Sequence, residues 1–157
     1  LSSFRGRDEE QAERVETSNY DPRHLQGVHW FNEGNFFQAH EVWEELWTEC
    51  RDPSRTFYQG LIQVAVCLHH FGRRNTRGAR KLYHSSRRHL EPFSPWHQGL
   101  DVARLLKELE ICCGEIAGSE EYFPKARLNL QLVPKIQLSS RPGTLGDGQR
   151  DLGNSRG

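Results

Sequence analysis

Along residues 21–113 the apolar positions recur at the three- and four-residue spacing of amphipathic helices, and each break in that rhythm falls on a capping residue or a helix breaker. The first helix is expected to start at Asp21-Pro22, run to about Glu33 and stop at Gly34. The second starts at Asn35, which stands in capping-box spacing with Gln38. At about 100° per residue, Phe36, Ala39, His40, Trp43, Leu46, Trp47 and Cys50 share one face of it. The third starts at Asp52-Pro53 and runs to about Phe71. Its two adjacent stripes, Phe57-Leu61-Val64-Leu68 and Tyr58-Ile62-Ala65-His69, make most of its surface apolar and mark it as the central helix. Gly60 costs roughly 1 kcal/mol against alanine there, so a bulky neighbour, Trp43 or Trp47, is expected against it. The fourth helix runs from Asn75 to about Leu90 and ends before Pro92. The fifth runs from about Leu100 to Cys113, and the alternating stretch Tyr122–Leu138 reads as an extended strap.

These elements define an all-α fold: a compact antiparallel bundle of about five helices with an extended C-terminal strap, occupying residues 20–138. Residues 1–19 are mostly charged or polar. Residues 139–157 are dominated by Gly, Pro, Ser and charge. Neither end has the apolar content to offset its ordering entropy, and both are expected to be disordered.

Composition narrows the function classes. The 157 residues carry 21 basic and 21 acidic side chains, and zero net charge argues against nucleic acid as a partner of the whole molecule. No apolar run reaches membrane-spanning length, and the start is too polar for a signal peptide. Cys50, Cys67, Cys112 and Cys113 show neither C-x-x-C nor zinc-ligand spacing, and Cys50, Cys67 and Cys112 lie on or beside apolar faces, which reads as reduced thiols in a cytoplasmic protein. The chain lacks methionine, even at position 1, as expected of a fragment or a processed form.

Candidate chemistry concentrates in AHEVWEELW, residues 39–47. His40 and Glu44 are one helical turn apart and project side by side. Matching heights across antiparallel hairpins brings His29, Gln59 and Gln63 to the level of His40 and Glu44, with Glu41 just outside. A buried His-Glu-Gln cluster is the expectation. It serves as a hydrogen-bonded network setting helix register, as a pocket for a small molecule or protein partner, or as a divalent metal site using His40, Glu44, His69 and His70. The pattern H-E-x-x-E lacks the second helical histidine of zinc proteases. A second feature is the basic run 73–88, in which Arg73, Arg77, Arg80 and Arg88 could meet the phosphates of a polyanion.

Phe31-Asn32, Gly34, Phe37, Ala39-His40-Glu41, Glu44 and Trp47, followed by Gln59-Gly60-Leu61-Ile62-Gln63, Ala65, His69 or His70, Asn75, Gly78-Ala79 and Leu82, resemble the motif of a helical family known as domain of unknown function 309. The similarity covers about residues 20–91. It implies a compact helical bundle and no particular activity. The family's motif residues fall on His40, Glu41, Glu44, Trp47, Gln59 and Gln63. This chain departs by placing Arg74 where a glycine is expected before Asn75, which leaves the turn between the third and fourth helices open.

The reading that follows is a helical binding or structural module. The first alternative is a metal-dependent hydrolase-like enzyme with Glu41 or Glu44 as general base and His40 as ligand. The second is a polyanion binder using the basic helix.

Overall fold

The computed structural model describes residues 19–140. Five α-helices follow in order: α1 (Pro22–Asn32), α2 (Phe36–Glu49), α3 (Ser54–Gly72), α4 (Thr76–Leu90) and α5 (Val102–Ala117). Between α4 and α5 lie a short 3-10 turn, Glu91–Phe93, and a two-stranded antiparallel hairpin, β1 (Trp96–His97) and β2 (Leu100–Asp101), with Trp96 opposite Asp101. Each helix packs on the one before it, α1 on α2 through to α4 on α5, so the chain folds as the all-α bundle its periodicity demands.

Side-chain carboxylates and amides start most of the helices. Asp21 Oδ1 accepts from Arg23 N at 2.9 Å, Asp52 Oδ1 from Ser54 N at 2.7 Å, Asn75 Oδ1 from Gly78 N at 3.1 Å and Asp101 Oδ1 from Arg104 N at 2.9 Å. Asn35 precedes α2 without a side-chain capping bond, so the expected capping box does not form. The fifth helix also differs from expectation. Leu100 and Asp101 pair in the hairpin and delay its start to Val102, while Ile116 extends the buried stripe of Leu105, Leu109 and Cys113 and carries the helix on to Ala117.

The α1–α2 and α3–α4 turns have the same geometry. Gly34 N donates to Phe31 O and Asn35 N to Trp30 O, at 3.0 and 2.9 Å. Arg74 N donates to Phe71 O and Asn75 N to His70 O, at 3.1 and 2.8 Å. Both satisfy helix-end carbonyls through a residue in the left-handed region, Gly34 at φ 81° and Arg74 at φ 64°. At the α3–α4 turn, where a glycine was expected before Asn75, Arg74 thus adopts the left-handed backbone that Gly34 supplies at the other turn.

The core surrounds α3, where Phe57, Leu61, Val64, Ala65 and Leu68 are fully or almost fully buried. A Cβ on Gly60 would meet Leu90 Cγ at 2.6 Å, so the close neighbour is the end of α4, not Trp43 or Trp47 as expected. Trp43 instead covers Gly27 of α1, where a Cβ would come within 2.4 Å of the indole nitrogen. A glycine reveals that something approaches; the packing partner depends on how the helices cross.

After α5 the strap runs back over the bundle. Asn32 clasps it by donating from Nδ2 to Ile136 O at 2.7 Å and accepting from Ile136 N at 2.8 Å. Ile136 is buried. Ser139, assigned by composition to the tail, donates its N–H to Gly99 O at 2.7 Å. The rest of the expected disordered ends, residues 1–18 and 141–157, lies outside the described residues.

Candidate functional site

The outer stripe of α2 carries Phe37, His40, Glu41 and Glu44. His40 Nδ1 donates to Phe37 O at 2.7 Å, and its Nε2 faces Glu44 Oε2 at 3.3 Å. With Nδ1 committed as a donor to a carbonyl, Nε2 can donate to the carboxylate only when the ring is protonated. The Phe37 ring lies 4.9 Å from that of His40 and 5.6 Å from that of His69 on α3. Burial, together with the charges of Arg73, His70 and His40, holds His69 below the ordinary imidazole range. This is a surface patch: Phe37 is 49% exposed and the Glu44 side chain 53% exposed.

The expected buried cluster does not assemble around it. His29 stands on the exposed side of α1 against Trp30, one residue beyond the buried stripe of His24, Gly27, Val28 and Phe31. Gln63 turns to α4, where His89 Nδ1 donates to its Oε1 at 2.7 Å. Gln59 is half-buried and Glu41 exposed. Trp47 forms a platform for Arg55, whose guanidinium lies 4.0 Å from its ring centroid. Height matching places residues along a helix axis but leaves their azimuth open, and the azimuth separates them. Among the candidate metal ligands, His70 Nδ1 accepts from Asn75 Nδ2 at 3.3 Å, away from the His40–Glu44 pair. No group of three or more His, Cys, Asp or Glu among the described residues converges as a ligand set.

The basic helix is partly accounted for by the fold. Arg80 Nη1 donates to the carbonyls of Ser119 and Glu121 at 2.9 and 2.6 Å, and His84 Nε2 to that of Ala117 at 3.3 Å. Arg77 donates to the Tyr122 hydroxyl and lies 3.9 Å over its ring. The two arginines sit near the C-terminal end of α5, where unpaired carbonyls and the helix dipole favour positive charge. Of the four polyanion candidates, Arg77 and Arg80 are therefore clamps on α5 and the strap, while Arg73 and Arg88 are exposed.

The structure's most buried polar centre was not anticipated from sequence. His24 is fully buried between α1, α2 and α3. Trp43 Nε1 donates to its Nδ1 at 3.2 Å, and its Nε2 donates to Gln98 O at 3.0 Å. Burial pushes its pKa down to about 4. Nearby, Ser54 Oγ and His97 Nε2 are 2.8 Å apart, with the His97 ring edge-on against Phe57 and tilted against Phe93. That spacing suits a nucleophile and its base. Ser54 is buried at the first turn of α3, however, and the bond ties the hairpin to that helix. The sequence signal for His24 was its place in the i, i+3, i+4 stripe with Gly27, Val28 and Phe31.

Residues 24–82, spanning α1 to the middle of α4, match the family model described as domain of unknown function (DUF309). This helical segment is therefore similar to that family over 59 of the 157 residues. The chain is 40% identical over 81 residues to the uncharacterized protein YpuF of Bacillus subtilis (strain 168), covering 48% of this chain and 45% of the relative. It is 26% identical over 104 residues to an uncharacterized protein of Aquifex aeolicus (strain VF5), covering 64% of this chain and 30% of that one. The matched regions span less than half the length of either relative. No helix among the described residues is long and apolar enough to cross a membrane.

Proposed function

We propose that the domain is a protein-binding module that docks a basic segment of a partner on the outer stripe of α2. The observation that carries this reading is the exposed Phe37 ring at the head of a one-signed surface. Glu41, Glu44 and Glu45 are all exposed, and α2 contains no lysine or arginine. Glu41 and Glu45 form no ion pair among the described residues, and Glu44 pairs only with His40. A partner cation would meet carboxylates that need no desolvation of an existing strong pair, and the phenyl face adds a cation–π or apolar anchor. His40, bonded to the Phe37 carbonyl, sets the spacing between ring and carboxylate. Four free thiols, three of them buried, fit a reducing compartment, and we place the protein in the cytoplasm on that ground.

The test is fluorescence anisotropy of the full chain with a labelled Lys/Arg-rich peptide carrying one aromatic residue. Saturable binding is expected, weakened about tenfold by Phe37→Ala and by the pair Glu41→Gln, Glu44→Gln, with the thermal melt unchanged. Absence of binding at low salt, or binding indifferent to these exposed substitutions, overturns the reading.

A further inference from the structure

We propose that the N-terminal end of α4, closed over by the strap, is a phosphate site that takes a phosphomonoester with an apolar body. Thr76, the first residue of α4, is 2% exposed, and its hydroxyl is buried with no hydrogen-bond partner. It lines a depression of about 270 Å³ together with Arg74, Pro124, Lys125, Ala126 and Arg127. Three cations therefore line the same depression as a threonine with an unpartnered hydroxyl, at the positive end of a 15-residue helix. The Asn75 side chain takes the N–H of Gly78, and the N–H groups of Thr76 and Arg77 have no intrahelical acceptor. Among the described residues, no carboxylate lies within ion-pair distance of Arg74, Lys125 or Arg127. An oxyanion in the depression would supply acceptors for the cations and the free N–H groups at once, and a turn of the Thr76 side chain about χ1 would bring its unpartnered hydroxyl into the same set.

The neighbouring space indicates what the anion is attached to. A second depression of about 290 Å³ shares Arg74 and Arg127 with the first and is otherwise lined by Phe71, Gly72, Leu128 and Leu130. The two arginines stand between a polar compartment and an apolar one. A phosphate bearing an aromatic or aliphatic group would fill both, with the arginines bridging as fork-shaped donors to its oxygens.

The site is separate from the α2 stripe and does not rest on its proposed role. The experiment follows backbone amide resonances of the full-length chain during titration with phenyl phosphate and with inorganic phosphate, at constant ionic strength. Saturable shifts are expected at Thr76 and Arg77, with phenyl phosphate binding more tightly than inorganic phosphate. Arg127→Ala, on an exposed side chain, and the near-isosteric Thr76→Val should each weaken phenyl phosphate about tenfold, whereas Phe37→Ala should leave it unchanged. No saturable shift at Thr76 and Arg77 up to ~10 mM ligand, or equal affinity of wild type and Arg127→Ala, overturns the site. Equal affinity for the two phosphates overturns the apolar compartment.

Discussion

Trp43 Nε1 lies 3.2 Å from Nδ1 of His24, and that single contact sets the protonation state of the most buried histidine in the bundle. An indole nitrogen can only donate, so Nδ1 must accept and the ring proton must sit on Nε2. Nε2 then donates to the Gln98 carbonyl at 3.0 Å, which can only accept. Every hydrogen-bonding position on the ring is used in the neutral form. A second proton would set two donors face to face in a site without water access.

Stability should therefore fall with acid in a defined window. His24 titrates at about 4 in the folded chain against 6.5 when unfolded. Between those values the unfolded state holds a proton that the folded state does not. Stability is thus full above pH 6.5 and is lost as pH falls toward 4, by an amount on the order of 3 kcal/mol. Urea denaturation at pH 7 and pH 4.5 measures it. His24→Gln, which keeps an acceptor for Trp43 and loses the titration, should flatten that part of the profile.

Gly27→Ala should destabilise by roughly 2 kcal/mol or more through overpacking, because the added methyl would sit 2.4 Å from Trp43 Nε1 with the indole fixed by His24. A drop in the thermal midpoint with an altered Trp fluorescence spectrum is expected. A wild-type melt would show that the α1–α2 contact is looser than described.

Arg74→Gly should stabilise by about 1 kcal/mol, since φ 64° costs an L-residue and not a glycine, less the greater entropy glycine brings to the unfolded chain. Chemical denaturation reads the gain. The same substitution should weaken phenyl phosphate binding, so stability and affinity should move in opposite directions.

Arg80→Ala should cost about 1 kcal/mol, because two carbonyls near the end of α5 lose their charged donor. Amide hydrogen exchange should accelerate in residues 117–123. Arg88→Ala, on an exposed position of the same helix, should change stability by less than about 0.5 kcal/mol. Equal effects at the two positions would remove the distinction between clamp and solvated charge.

The helices were legible because their signals are local. Asp21 and Asn75 cap from the positions their chemistry suggested, Asp52 bonds the first N–H of α3 from one residue before the cap, Pro53, and α3 shows the nearly all-round apolar surface of a central helix. The site was legible only in part. His40 and Glu44 adjoin because one helical turn brings them together. His29 and Gln63 had to be placed by the relative rotation of different helices, and that rotation turned one to solvent and the other to His89. Tyr122 and Ser119, which occupy Arg77 and Arg80, lie some forty residues away in sequence, so nothing in the basic run itself distinguished clamps from free charges.

The amino-acid sequence determined where the first four helices begin and end and which face of each is apolar, since caps, glycines and periodicity act within a few residues of chain, while the hairpin moved the start of the fifth. Tertiary packing decided which polar groups meet: Trp43 with His24, Leu90 over Gly60, and the strap closing on Thr76. Those contacts depend on how whole helices rotate and cross to fill a common core, a balance of many small contact energies that no single stretch of residues encodes.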